Sequence, residues 1–528
     1  MAGVELFVFL LLAVAVLAGL GLRSGIPYPV VLVVGGLAIG LVPGLPSPQL
    51  DPDLVLFVFL PPLLYAAAFT SSAYELRANA RPIGLLAVGL VVVTVVAVAA
   101  VAHFAIGLPW VPSFVLGAVL GPTDPVAATA VIRRLGASGR IGTILEGESL
   151  VNDGTGLTAY KIAVAAAGSS AVSAGWIPLR FLAVAAGGIA IGLVAGWVFG
   201  RLRSLVSDPS LDVTLSVLTP FVAYVPAERV GASGVLAAVA AGVYIGTRSL
   251  DLVEAGNRLR TVSFWESLSF LLNGLLFLLI GLQVPHIVDA IRGAAPLPLA
   301  GRALLVSAVV MGVRFAWMFL VPSTFRALSP FARTEPPATT RGERVVLGWS
   351  GMRGGVSLAA ALAIPLSVHG APFPDRELVI FLAYVTVVIT LLVPGATLAP
   401  LVRRLGLGEP EDRRRADSEA RLRITHAALE RLEALASRDG VPDRVVARLR
   451  DLYEVRLRAL EARMNAEEQD ERRVDVGEAA RLQAEMIEAE RDVLRAMRRE
   501  RAFPADLLRE VERELDLDES RLRARIRS

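Results

Sequence analysis

Thirteen apolar stretches recur along the first 404 residues of this 528-residue chain, at roughly 3–22, 28–44, 53–69, 83–106, 109–135, 142–168, 177–200, 211–226, 231–247, 262–284, 300–321, 345–367 and 378–402. An α-helix needs about 20 apolar residues to cross the hydrocarbon core of a bilayer. Shorter and longer stretches fit helices that tilt or break. Composition points the same way: only 44 of residues 1–408 are charged, against about a quarter in soluble domains. That excludes a simple soluble enzyme and implies an all-α polytopic membrane protein with about thirteen crossings. The first stretch reads as a retained helix, because Glu5 precedes its apolar run and no basic residue does.

Residues 405–528 are a different material. In 409–528, 57 of 120 residues are charged, with 30 acidic and 27 basic. Leu422, Leu429, Leu432 and Leu435 keep near-helical spacing, as do Val445, Leu449, Leu452, Leu460 and Met464 after a Gly440-Val-Pro442 break. Further runs cover about 474–500 and 504–527. The expectation is a transmembrane domain at 1–404 and a charged, helical cytoplasmic regulatory tail at 405–528.

Arginines set the orientation. Arg23, Arg77, Arg81, Arg133, Arg134, Arg140, Arg201, Arg203, Arg258, Arg260, Arg326, Arg333, Arg341, Arg344, Arg403 and Arg404 fall in alternate connections. This places the amino terminus outside and the tail in the cytoplasm. Net charge is +3, which suggests no nucleic-acid partner. Cysteine is absent and the four histidines are scattered. Disulfides and thiolate zinc sites are thereby excluded, and the scattered histidines argue against a histidine metal cluster. The phosphate loop GxxxxGK[ST] does not occur, and no cofactor is expected.

Ionisable groups inside membrane segments are costly and usually functional. Gly121-Pro122-Thr123-Asp124-Pro125 lies mid-way along the fifth stretch. Its two prolines remove backbone donors and break the helix, leaving Asp124 among freed carbonyls and a helix amino terminus. Broken helices near the midplane are a recurring way to build ion sites in transporters. Glu146-Gly-Glu148-Ser149-Leu-Val-Asn152-Asp153-Gly-Thr155-Gly enters the sixth stretch. Ser149 and Asp153 share one helix face, Glu148 and Asn152 the adjacent one. A hard monovalent cation such as Na+ or K+ takes oxygen ligands, which Asp153, Ser149 and Thr123 can supply. One carboxylate holds a proton or a metal ion in turn, but not both well. That competition is the physical core of exchange.

FLPPLLYAAA, GPTDPVA, EGESLVNDGTG, FWESLSFLLNGLLFLLIGLQ and GMRGGVSLAAALA, in this order and spacing over 1–404, resemble the monovalent cation:proton antiporter family, which includes sodium/proton exchangers. The resemblance implies a homodimer with inverted repeats, two crossed interrupted helices in a core domain, a separate dimerisation domain, and elevator-like movement of the core. Residue by residue, it implies that Asp153 takes cation or proton in turn, with Asn152 as its partner. Asn-Asp relatives are generally electroneutral. It further implies that Thr123 and Asp124 form the unwound stretch, that Ser149 ligates the cation, and that Arg353 pairs with Glu148 as a structural ion pair. Some relatives carry an acid where this chain has Ala66.

Weaker features remain. Asn273 is expected to support the core by a hydrogen bond. Glu266 is expected at the interface, Lys161 to reach toward the outer interface, and Glu228 and Arg229 to be solvated. The resulting expectation is a secondary antiporter of the plasma (inner) membrane. It exchanges cytoplasmic Na+ (or K+, Li+) for external H+, with membrane lipid around it. The alternatives are a K+/H+ antiporter, and less so a cation channel or a sensor with a regulatory tail.

Overall fold

The computed structural model describes residues 3–43, 48, 51–136, 139–166, 176–291, 295–328, 340–368, 371–407, 411–436, 442–464 and scattered positions between 483 and 519. The runs expected at 474–500 and 504–527 lie mostly outside the described residues. By internal contacts the chain separates into Met1–Gly408 and Glu409–Ser528.

The first unit is helical apart from a two-residue hairpin, Ser367–Val368 with Ala371–Pro372. Its helices are α1 (Gly3–Ser24) and α2 (Tyr28–Gly40), then α3 (Leu54–Thr70) and α4 (Ala80–Ile106). Next come α5 (Trp110–Leu120), α6 (Val126–Arg134), α7 (Gly139–Ala166) and α8 (Trp176–Ser204). They are followed by α9 (Pro209–Arg229), α10 (Gly234–Thr247), α11 (Ala255–Leu282) and α12 (Pro296–Leu328). The unit ends with α13 (Arg341–Trp349), α14 (Gly355–Leu362) and α15 (Arg376–Arg404).

Every apolar stretch read from the sequence contains a helix among its described residues. Among the described residues, seven helices are long and apolar enough to cross a membrane, and four more are shorter apolar ones. The fifth and twelfth stretches are each two half-helices, α5–α6 and α13–α14. The first break follows from Pro122 and Pro125; the second, at Ser350–Gly354, sits on three glycines, Gly351, Gly354 and Gly355.

Two sets of helices pack in different ways. Around α5, α7 and α15 lies a core of large aliphatic residues, among them Leu116, Leu120, Leu276, Leu358 and Leu391. The packing of α8 on α10, by contrast, depends on small residues. A Cβ on Gly188 or Gly192 would strike the backbone of Ser233 or Ala237, and Gly242 and Gly246 pack on the backbone of Tyr65 and Phe69. Small residues let membrane helices approach closely.

Two charges sit differently from expectation. Arg203 is not a loop arginine. It ends α8 fully buried, with Nε and Nη2 donating to Asp212 at 2.7 and 2.9 Å and Thr261 Oγ1 donating to the same carboxylate at 3.0 Å. A guanidinium there needs an anion, and Asp212 in the next helix supplies it. Lys161 does not simply reach for the interface either. It pairs with Glu228 at 2.6 Å, and Glu228 also accepts from Gly234 N at the start of α10.

In the second unit, α16 (Glu411–Ala436) and α17 (Asp443–Met464) pack on each other. α17 starts directly after Pro442, with Val445 N bonded to Pro442 O at 2.9 Å.

Candidate functional site

The two breaks meet. Asp124 N donates to Met352 O at 2.8 Å, tying one unwound segment to the other. Only glycine fits opposite: a Cβ on Gly354 would overlap the Asp124 carboxylate, and one on Gly156 would overlap the Pro122 ring.

Four helix ends converge here, and each pair carries a compensating charge. The carboxyl-terminal ends of α5 and α13 point their carbonyls inward. Arg353, 1% exposed, donates from Nε to Leu120 O at 3.1 Å and from Nη1 to Gly351 O at 2.5 Å. The amino-terminal ends of α6 and α14 present free N–H groups. Asp124 accepts from Val126 N at 2.9 Å, and its carboxylate lies against Gly354 at the head of α14.

The expected Glu148–Arg353 pair is corrected by this geometry. Glu148 is paired with Arg314 of α12, Nη1 to Oε1 at 2.5 Å and Nη2 to Oε2 at 2.9 Å, while Arg314 Nε donates to Leu347 O. Both side chains are buried. The flat, two-pronged guanidinium satisfies both carboxylate oxygens at once, and Arg353 is left to the helix ends. The signal for Arg314 was present: it lies deep inside the apolar run 300–321, twelve residues beyond Arg302 near the start of that run.

From Glu148 a chain of hydrogen bonds runs to the Asn-Asp pair. Thr123 Oγ1 donates its single proton to Glu148 Oε1 at 2.7 Å. Asn152 Nδ2 then donates to Thr123 Oγ1 and to Thr123 O, both at 2.9 Å. This fixes the amide's orientation and leaves Asn152 Oδ1 buried without a partner among the described residues. The next residue, Asp153, is 8% exposed and accepts no hydrogen bond from any described residue. It is near enough to Asp124 for the two carboxylates to interact. Ser149, one turn before it, is half-buried and free of hydrogen bonds among the described residues.

The structure thus brings Thr123, Asp124, Glu148, Asn152, Asp153 and Arg353 together. Ala66 is buried among Tyr65, Phe69, Ile245 and Trp265 and offers no ligand. Asn273 is half-buried without a hydrogen bond among the described residues; its helix meets the crossing instead through Leu276, which packs on Gly355. Glu266 is exposed. Among the described residues no group of three or more His, Asp or Glu side chains is arranged to hold a metal.

Residues 9–404 match the family described as sodium/hydrogen exchanger, transmembrane. The chain belongs to the sodium/hydrogen exchanger family. It is 35% identical over 530 residues to an uncharacterized Na(+)/H(+) exchanger of Mycobacterium tuberculosis, covering 98% of this chain and 96% of that one. It is 32% identical to a sodium, potassium, lithium and rubidium/H(+) antiporter of Bacillus subtilis, over 71% of this chain and 57% of the relative. Its fold is that of the sodium proton antiporter MjNhaP1 from Methanocaldococcus jannaschii, with a TM-score of 0.60 at 18% identity, covering 76% of this chain and 98% of the other. This exchanger is a multi-pass membrane protein and a transporter.

Proposed function

We propose that the protein exchanges cytoplasmic Na+ for external H+, one for one, with Asp153 holding cation and proton alternately. One observation carries this. Of the two buried carboxylates on α7, Glu148 is fully engaged by Arg314, whereas Asp153 has no counterion or hydrogen-bond donor among the described residues. An unpaired carboxylate in a low-dielectric site is neutralised by a proton or by a cation. Ser149, the free Asn152 Oδ1 and the Asp124 carboxylate are the further oxygen ligands. Thr123 is a weaker ligand than the sequence suggests, since both its oxygens already accept from Asn152.

In this reading the protein works as a homodimer in the plasma membrane. Its amino terminus is outside and its regulatory tail is in the cytoplasm. The crossing moves with its half-helices as one body. Potassium is the second candidate substrate. The Bacillus subtilis relative is named for several alkali cations, and the alanine at position 66 removes one anionic ligand that would favour a small ion. Exchange in proteoliposomes decides. A pH dye inside vesicles should respond to Na+ or Li+ pulses at lower concentration than to K+. A response to K+ alone would assign the second substrate, and no response to any of the three would reject antiport.

A further inference from the structure

Two stripes of half-buried residues lead from the crossing toward one end of the membrane unit. On α7 they are Thr143, Glu146 and Ser149, ending at Asp153; a spacing of three or four keeps them on one helix face. On α6 they are Thr129 and Ala130, running from Asp124 to the exposed Arg133. Arg133 Nη2 and Glu146 Oε1 join the two stripes at 2.5 Å, with the guanidinium 74% and the carboxylate 28% exposed. Thr143 Oγ1 donates to Glu75 at 2.6 Å, which brings a second carboxylate to the same rim. On the other side of the crossing the half-buried positions of α7 resume only at Leu157 and are mostly apolar. α5 is buried without interruption from Val115 to Leu120, and α7 from Asn152 to Gly156. Polar, half-exposed positions within an apolar bundle line water rather than lipid.

We infer that these stripes are the water path by which cations reach Asp153 from the arginine-rich end, and that the Arg133–Glu146 pair sets cation capture at its mouth. The inference rests on the exchange reading above and adds the residues that tune its affinity. Glu146 lies seven residues before Asp153, two turns or about 10 Å along the helix. A bare carboxylate at that distance raises the local cation concentration; the Arg133 guanidinium cancels most of its field. Over such a distance in a water-filled path the effect is about two- to fourfold in apparent affinity, and salt screens it. An exposed pair adds little to stability, so either side chain can be replaced without unfolding the protein.

The test compares initial exchange rates against Na+ concentration, supplied from the tail side of sorted proteoliposomes. Glu146→Gln should raise the apparent KM about two- to fourfold, and Arg133→Gln should lower it by a similar factor. Maximal rates should change little, and choline chloride at high concentration should erase both shifts. An unchanged KM in Glu146→Gln, or shifts of the same sign in both variants, would overturn the assignment. A wild-type protein that fails to exchange at all would instead reject the antiport reading. A second measurement needs no transport. The chain has no native cysteine, so Ala130→Cys should react with a membrane-impermeant thiol reagent from the tail side only. Labelling from the opposite side, or from neither, would contradict the path.

Discussion

Two acids on one helix, five residues apart, are buried at the crossing in opposite circumstances. Glu148 is satisfied three times over, twice by Arg314 and once by Thr123; Asp153 has no such partner among the described residues. Arg314→Ala should therefore cost stability on the order of 3–5 kcal/mol, the loss when one partner of a buried pair is removed. Thermal unfolding in detergent checks this, and adding Glu148→Gln should recover part of the loss. A single variant as stable as wild type would show that the pair is dispensable. Asn152 supports the same chain as a donor. Asn152→Asp replaces a donor by an acceptor facing two acceptor oxygens of Thr123. It should destabilise by about 1–3 kcal/mol, read as a lowered melting temperature, and so should not act as a clean addition of a second titrating acid.

The broken helices depend on close approach. Gly354→Ala drives a methyl group into the Asp124 carboxylate, which is held by Val126 N while the Asp124 N–H is held by Met352 O, so relief is small. We expect about 1–3 kcal/mol of overpacking strain and a loss of exchange with helix content unchanged. Circular dichroism together with vesicle flux separates those outcomes, and retained flux would mean that the crossing tolerates expansion. The sequence made the first break legible, because Pro122 and Pro125 remove two backbone donors within four residues, with Gly121 beside them. The second break was not, because Gly351, Gly354 and Gly355 permit unwinding without enforcing it, and the reason for it is Asp124 on a distant helix. That Asn152 and Asp153 lie buried beside the first break was expected from their place as polar residues entering an apolar stretch and from the family resemblance. The partner of Glu148 was not, since two buried arginines, Arg314 and Arg353, compete for it and only three-dimensional placement decides which faces a carboxylate and which faces carbonyls. Arg203 misled for a related reason: its place at a helix end is that of a loop charge, and its partner Asp212 lies across the turn.

For the whole molecule, charge balance at the site decides the response to voltage. In the proposed exchange Asp153 gives up one proton for one cation, and Asn152 has no proton to release in its place. The loaded site then carries the same charge in both directions. A membrane potential, which acts at about 2.3 kcal/mol per net charge per 100 mV, should set no sodium gradient. A valinomycin-imposed potassium diffusion potential should leave the final sodium distribution unchanged; a gradient that follows the potential would mean that a second group, with Asp124 the nearest, also moves charge. Proton release on cation binding measures the competition between proton and cation most directly. Purified protein titrated with NaCl in calorimetry buffers of differing ionisation enthalpy should release close to one proton per bound cation at the acidic end of a pH series, and Asp153→Asn should neither bind the cation nor release the proton. Sodium binding without proton release, or release that persists in Asp153→Asn, would contradict it.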